Sequence, residues 1–212
     1  MALAAVLALA PMAQAEEARV VIALGDSLTQ GYGLPEEEGF VPQLESWLRA
    51  QGAPVRVVNA GVSGDTTAGG AARVGWALAD GADGMIVTLG GNDFLRGIDP
   101  AESRANIDAI LTEAGEHGVP VLLVGMTAPG NYGPDYKAAF DAIYPELAEA
   151  HGVALADDFF APLGADASDP AALRRYMQPD GLHPSAEGAA RIAAGLGPQV
   201  LELLGLVPEG EG

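Results

Sequence analysis

The chain contains no cysteine. Disulfide frameworks, Cys-based zinc sites, thiol nucleophiles and iron–sulfur clusters are thereby excluded. Cationic side chains are scarce: ten Lys and Arg stand against 29 Asp and Glu, a formal net charge of −19, and one of the ten, Lys137, is a lysine. Phosphate binding needs clustered Lys and Arg, so nucleic acid is not an expected partner. An electrostatic grip on anionic lipid is disfavoured for the same reason. An acidic, Lys-poor surface keeps a chain soluble through net repulsion; a salty habitat and GC-rich codon usage both produce such a composition.

What is present is a chain of 212 residues, 49 % apolar and 18 % charged. That length suits one domain, large enough to bury a core without staples, and the composition argues against disorder. Met1 to Ala15 carries no charged side chain. Its apolar run, Ala2 to Ala10, is too short to span a bilayer. The small-x-small triplet Ala13-Gln14-Ala15 follows, and then Glu16-Glu17. The pattern reads as a signal peptide over 1–15, lacking the usual basic n-region, followed by a single domain over 16–212. A soluble periplasmic or secreted product with no stable membrane anchor is expected.

Short β-like runs alternate with amphipathic stretches. Val20 to Leu24, Val55 to Val58, Met85 to Leu89, Val119 to Val124 and Val153 to Leu155 are the strand candidates. Several are continuous apolar runs, as parallel strands buried on both faces require. Between them Phe40, Leu44, Trp47 and Leu48 recur at helical spacing, with Gly52 as a stop. Asp99-Pro100-Ala101-Glu102 combines an N-cap, a Pro at the first helical position and a capping-box acid. Ile107, Ile110, Leu111 and Ala114 continue that helix to Gly118. Tyr136, Phe140, Ile143 and Leu147 form another stripe, which Pro145 is expected to bend. Ala189, Ile192, Ala193 and Leu196 open the last helix, with a kink expected at Gly197-Pro198. Asp157 to Pro179 is helix-poor and reads as a surface excursion. Strand–helix alternation of this kind predicts an α/β fold with a parallel sheet and ligands at the carboxyl ends of its strands.

Four polar, glycine-containing segments stand where that rule looks for chemistry: Gly25-Asp26-Ser27-Leu28, Asn59 to Asp65, Gly90-Gly91-Asn92-Asp93 and Asp180-Gly181-Leu182-His183-Pro184. Ser27 follows a strand beside a glycine, where a tight turn can expose its hydroxyl; it needs a base to act as nucleophile. Of the three histidines, His117 and His151 each precede a glycine at a predicted helix end, where the helix dipole favours them. His183 lies in a polar loop three residues after Asp180, whose carboxylate can take the Nδ1 proton and leave Nε2 as acceptor. Asn92 supplies an amide donor, and Gly64 permits close approach of a backbone N–H, the groups an oxyanion hole uses. Each of these taken alone is more often a turn, a cap or a satisfied loop. Together they place nucleophile, two donors, acid and base in one order along the chain.

That set resembles the SGNH, or GDSL, hydrolases. The resemblance rests on Gly25-Asp26-Ser27-Leu28, on Gly64 within Ser63-Gly64-Asp65-Thr66, on Gly91-Asn92-Asp93 and on Asp180-Gly181-Leu182-His183-Pro184, and spans about Arg19 to Leu204. Asn92 to Gly97, Asn131-Tyr132-Gly133 and Ala142-Ile143-Tyr144-Pro145 are similar to the bacterial periplasmic thioesterase I, lysophospholipase and arylesterase group. The resemblance implies a flavodoxin-like three-layer α/β/α sandwich around a five-stranded parallel sheet. It implies Ser27 as nucleophile, His183 as general base and acid, and Asp180 as its orienting carboxylate. The oxyanion hole would comprise the Ser27 N–H, the Gly64 N–H and the Asn92 side chain. The loop from Phe94 to Asp99, with Phe94 and Leu95, would shape an acyl pocket. No metal or organic cofactor is implied; the implied substrates are small acyl esters, thioesters or lysolipids. The readings set beside it are a carbohydrate O-acetylesterase of the same fold, a non-catalytic periplasmic binding domain, and a phosphate or flavin cradle, the last disfavoured by charge and by the lack of a Gly-x-Gly-x-x-Gly or P-loop pattern. Oligomeric state and acyl-chain preference are not legible in the sequence.

Overall fold

The computed structural model describes residues 18–164 and 173–206. The expected signal segment, Met1 to Ala15, lies outside them, as do residues 165–172 of the expected surface excursion. Five strands, β1 (Arg19–Gly25), β2 (Val55–Gly61), β3 (Gly84–Thr88), β4 (Val121–Val124) and β5 (Ala154–Ala156), form one all-parallel sheet in the order β2-β1-β3-β4-β5. The apolar runs explain their central positions. Val21 to Leu24 of β1 and Met85 to Val87 of β3 are all buried, as strands covered by helices on both faces must be.

Helices return the chain between strands: α1 (Ser27–Gln30), α2 (Phe40–Ala50), α3 (Thr67–Leu78), α4 (Gly91–Arg96), α5 (Pro100–Glu116), α6 (Pro134–Asp141), α7 (Ile143–His151) and α8 (Ala186–Leu203). α2 packs against α8, and α3 against α5. The predicted α2 stripe is the buried one, with Phe40, Leu44 and Leu48 inside. Asp99 caps α5 as expected, accepting from the Ala101 N–H at 2.9 Å with Pro100 at the first position. His117 caps α5 and His151 ends α7.

One expectation about proline is revised. The stripe from Tyr136 to Leu147 is two helices, parted at Ala142. A proline ring clashes with the carbonyl four residues back and lacks an N–H. Pro145 is therefore accommodated in the first turn of α7, with the break three residues before it. Pro198 lies inside α8, which runs on to Leu203. Its neighbour Gly197 serves packing: a Cβ there would lie 2.2 Å from the Trp47 ring of α2.

The topology positions the site. β1 is followed by β2 on one side and β3 on the other. This reversal makes a crevice beyond the carboxyl ends of the central strands, the usual ligand position in open α/β sheets. The chain leaving β1 enters Ser27, that leaving β2 enters Gly64, and that leaving β3 enters Asn92.

Candidate active site

Ser27 and Asn92 are each in the first turn of a short helix rather than in an irregular loop. Ser27 opens α1 directly after Asp26, whose Oδ1 accepts from the Leu28 N–H at 2.9 Å. At this first helical position the Ser27 N–H has no acceptor within the helix. Gly25 makes the turn possible, since a Cβ on it would lie 2.0 Å from Thr29 Oγ1.

His183 arrives from the far end of the sequence. Its Nε2 is 2.9 Å from Ser27 Oγ. On the other side of the ring, Nδ1 is 2.7 Å from Asp180 Oδ2, while the Leu182 and His183 N–H groups donate to Asp180 Oδ1 at 2.9 and 3.1 Å. The His183 ring and the two backbone N–H groups hold the Asp180 carboxyl down to about 2, below its ordinary value of 3.8. An ionised Asp180 accepts from Nδ1 and leaves Nε2 to accept from the serine hydroxyl.

Gly64 sits at the third position of a turn in which the Asp65 N–H donates to the Val62 carbonyl at 3.0 Å. Its φ of +81° is a conformation that glycine adopts at no steric cost, and its N–H lies outside the turn's own hydrogen bond. Asn92 donates one amide hydrogen to Asp26 Oδ2 at 3.2 Å, leaving the second. Asp26 is 1 % exposed. Burial raises its carboxyl from 3.8 to about 6, against the lowering effects of the Leu28 and Asn92 hydrogen bonds. Ser27, Gly64, Asn92, Asp180 and His183 all face one cavity of about 1180 Å³.

Phe94 and Leu95 also line that cavity, but the segment expected to be a loop from Phe94 to Asp99 is helical through Arg96. The helix is anchored from inside. The buried Asp93 carboxylate accepts from the Thr67 N–H at 2.9 Å, the Thr67 hydroxyl at 2.5 Å and the Ser103 hydroxyl at 3.0 Å. These bonds tie α4 to the start of α3 and to α5, and so fix the segment carrying Asn92 against the one carrying Gly64.

Several residues that position the site were not singled out from sequence. Arg73 on α3 donates to the carbonyls of Gly25 at 2.8 Å and Ala60 at 2.7 Å, and to Asp65 Oδ2 at 2.8 Å. It clamps the ends of β1 and β2 together beneath the Ser27 and Gly64 turns. Gln178 donates through Nε2 to the carbonyls of Tyr32 at 2.7 Å and Pro184 at 3.0 Å, and its N–H donates to the His183 carbonyl at 2.8 Å. It joins the loop after Ser27 to the loop of His183, where the Tyr32 ring lies 4.7 Å from the imidazole. Arg73 looks like any solvated helix cation in the sequence, and Gln178 like any loop amide. The expected surface excursion contributes Phe160, Leu163, Leu173 and Met177 to the cavity wall; a scatter of apolar residues in a helix-poor stretch was the available signal.

Among the described residues no cluster of His, Asp and Glu has the form of a metal site. The arrangement can remove a proton from a serine hydroxyl and offer N–H donors to a nearby oxygen. Residues 23–191 match the model of the GDSL-like lipase/acylhydrolase family. The chain belongs to that family. It is 37 % identical over 199 residues to esterase TesA of Pseudomonas aeruginosa, covering 93 % of this chain and 96 % of that protein. It is 32 % identical over 192 residues to thioesterase 1/protease 1/lysophospholipase L1 of Escherichia coli K12, covering 90 % of this chain and 88 % of that protein. The crystal structure of AlinE4, an SGNH-hydrolase family esterase, superposes with a TM-score of 0.72 at 43 % identity, covering 90 % of this chain and 99 % of that one.

Proposed function

We propose that this GDSL-family ester hydrolase cleaves carboxylic esters and thioesters through a Ser27–His183–Asp180 triad and an acyl-enzyme. The observation that carries the reading is the unbroken hydrogen-bonded line from Ser27 Oγ through the His183 ring to Asp180, at 2.9 and 2.7 Å. Ser27 Oγ attacks the substrate carbonyl as its proton passes to His183 Nε2. Asp180 steadies the imidazolium through Nδ1. The negative charge developing on the carbonyl oxygen is met by the Ser27 and Gly64 N–H groups and the free Asn92 amide hydrogen. His183 then protonates the leaving alcohol or thiol. Water, deprotonated by the same ring, releases the acid and restores the serine.

The cavity supports acyl groups longer than acetyl. Beside the polar cluster it is walled by Phe94, Leu95, Met126, Phe160, Leu163 and Met177. This favours aryl esters, acyl thioesters and lysolipids over a sugar-bound acetyl group, and fits the names of the relatives. We also infer that residues 1–15 direct export and are removed, leaving one hydrolase domain over 16–212 in the periplasm or outside the cell.

The test is hydrolysis of a p-nitrophenyl ester series, from acetyl to palmitoyl, by the mature protein and its Ser27→Ala and Asn92→Ala variants. Activity should vanish in the first and fall about 10²–10³-fold in kcat in the second, the usual cost of one oxyanion donor. Equal activity in wild type and Ser27→Ala would overturn the mechanism. Activity confined to acetyl esters would favour the O-acetylesterase reading.

A further inference from the structure

Among the described residues six large apolar side chains are substantially exposed: Tyr32, Val62, Trp76, Leu95, Tyr132 and Leu182. Five of them gather at one place. Tyr32, Leu95 and Leu182 line the cavity, yet are 52 %, 50 % and 50 % exposed. Wall residues half open to water stand at the mouth. Val62 directly precedes Ser63 and Gly64, which also line the cavity. The Tyr132 hydroxyl donates to the Leu95 carbonyl at 3.4 Å, and its ring lies against Gly97, where a Cβ would come within 2.9 Å. Trp76 stands apart, near the end of α3 that leads back to the amino edge of the sheet.

Single exposed apolar residues are ordinary; a cluster around a functional opening marks an interaction site. These five come from separate segments: the turn after α1, the turn after β2, α4, the segment before α6 and the His183 loop. Helical or strand amphipathicity does not explain their convergence. Resting on the esterase reading above, we propose that this rim docks on the surface of an aggregated, uncharged acyl ester, so that the enzyme draws substrate into the cavity from an insoluble phase. The ligand chemistry follows from the charge and the position of the rim. A net charge of −19 opposes approach to an anionic surface. It also opposes pairing of two copies, and a second copy seated here would close the opening through which substrate enters. An uncharged ester surface meets neither objection and presents the bonds the cavity receives.

The experiment uses tributyrin on both sides of its solubility limit. Hydrolysis is followed with wild type, and adsorption to the emulsion with Ser27→Ala, which leaves the surface intact. The rate should climb several-fold on crossing the limit, and the protein should leave the aqueous phase. Val62→Glu and Tyr132→Ser should reduce both effects, while Trp76→Glu should change neither. On fully soluble p-nitrophenyl acetate, Trp76→Glu should keep the wild-type rate, and any loss in Val62→Glu should be smaller than its loss on the emulsion. A rate that saturates below the solubility limit, adsorption untouched by the rim substitutions, or equal losses in Trp76→Glu would overturn the proposal. So would a dimer in sedimentation that Val62→Glu dissociates, since the rim would then belong to a second copy. Inactivity of wild type on soluble p-nitrophenyl acetate would instead strike at the esterase reading itself.

Discussion

Asp26 is the most informative residue to perturb, because its stability and activity effects run in opposite directions. Its carboxyl is 1 % exposed and raised from 3.8 to about 6, mainly by burial. Ionising it in the fold therefore costs about 3 kcal/mol more than in the unfolded chain. Its folded value is the higher one, so its contribution favours the native state at low pH and is lost as pH rises through about 6. Asp26→Asn removes this titration. The stability of the variant relative to wild type should rise by roughly 2 kcal/mol between pH 4.5 and pH 8, measured by urea denaturation. The same change should damage catalysis. The amide oxygen of the substituted side chain can still accept from the Leu28 N–H, but its nitrogen then takes the place of the present Oδ2, 3.2 Å from the Asn92 amide nitrogen. Two donors cannot pair, so Asn92 must reverse and turn its carbonyl toward position 26, which redirects the amide hydrogen that the proposed mechanism gives to the oxyanion. A fall of about 10²–10³ in kcat, the usual cost of one oxyanion donor, is expected. Parallel stability curves for variant and wild type, or an undiminished kcat, would refute this account of Asp26.

If Asp180 orients the ring as proposed, Asp180→Asn should lower kcat strongly, by about 10⁴, the cost of the same change in a serine protease. The carboxyl is held down to about 2, so wild-type loss of activity at pH 4–6 should not include its protonation; a pH–rate profile checks this. Arg73→Met should leave the Gly25 and Ala60 carbonyls without their guanidinium donor. A loss of about 2–4 kcal/mol in urea denaturation is expected, with only partial rescue by Arg73→Lys, whose single ammonium cannot reach three acceptors at once. Gly64→Ala has room for its Cβ, 3.6 Å from Arg96 Nη2, but must hold φ at +81°. It should fold with a penalty of roughly 1–2 kcal/mol and lose kcat more than KM, because the displaced N–H serves the transition state; an unchanged kcat would count against Gly64 as an oxyanion donor.

The sheet was legible because its strands are short continuous apolar runs separated by helical periodicity, a pattern that a parallel sheet covered on both faces satisfies. Strand edges were less so. β2 extends three residues past Val58 to Gly61, since the polar Asn59 still pairs with β1. The break before Pro145 depended on where the proline could be tolerated, which local sequence states only loosely. The candidate site was legible where it is made of local motifs: Asp180 and His183 are three residues apart, and Ser27 adjoins its glycine turn. The residues that hold those motifs in register act across long sequence separations. Arg73 reaches Gly25, Gln178 reaches Tyr32, and Asp93 reaches Thr67. Their roles depend on the fold having already brought strand ends together. The cavity wall was hidden for the same reason: Phe160 and Met177 join Phe94 only in three dimensions.

The central claim is that Ser27 is the residue that takes the acyl group. Labelling with a fluorophosphonate, followed by peptide mapping, tests it most directly, because such reagents phosphonylate an activated serine as an ester would acylate it. One adduct on Ser27, formed in step with loss of esterase activity, absent in Ser27→Ala and slowed in Asp180→Asn, is the predicted result. An adduct on another residue, or full inhibition with Ser27 unmodified, would contradict it.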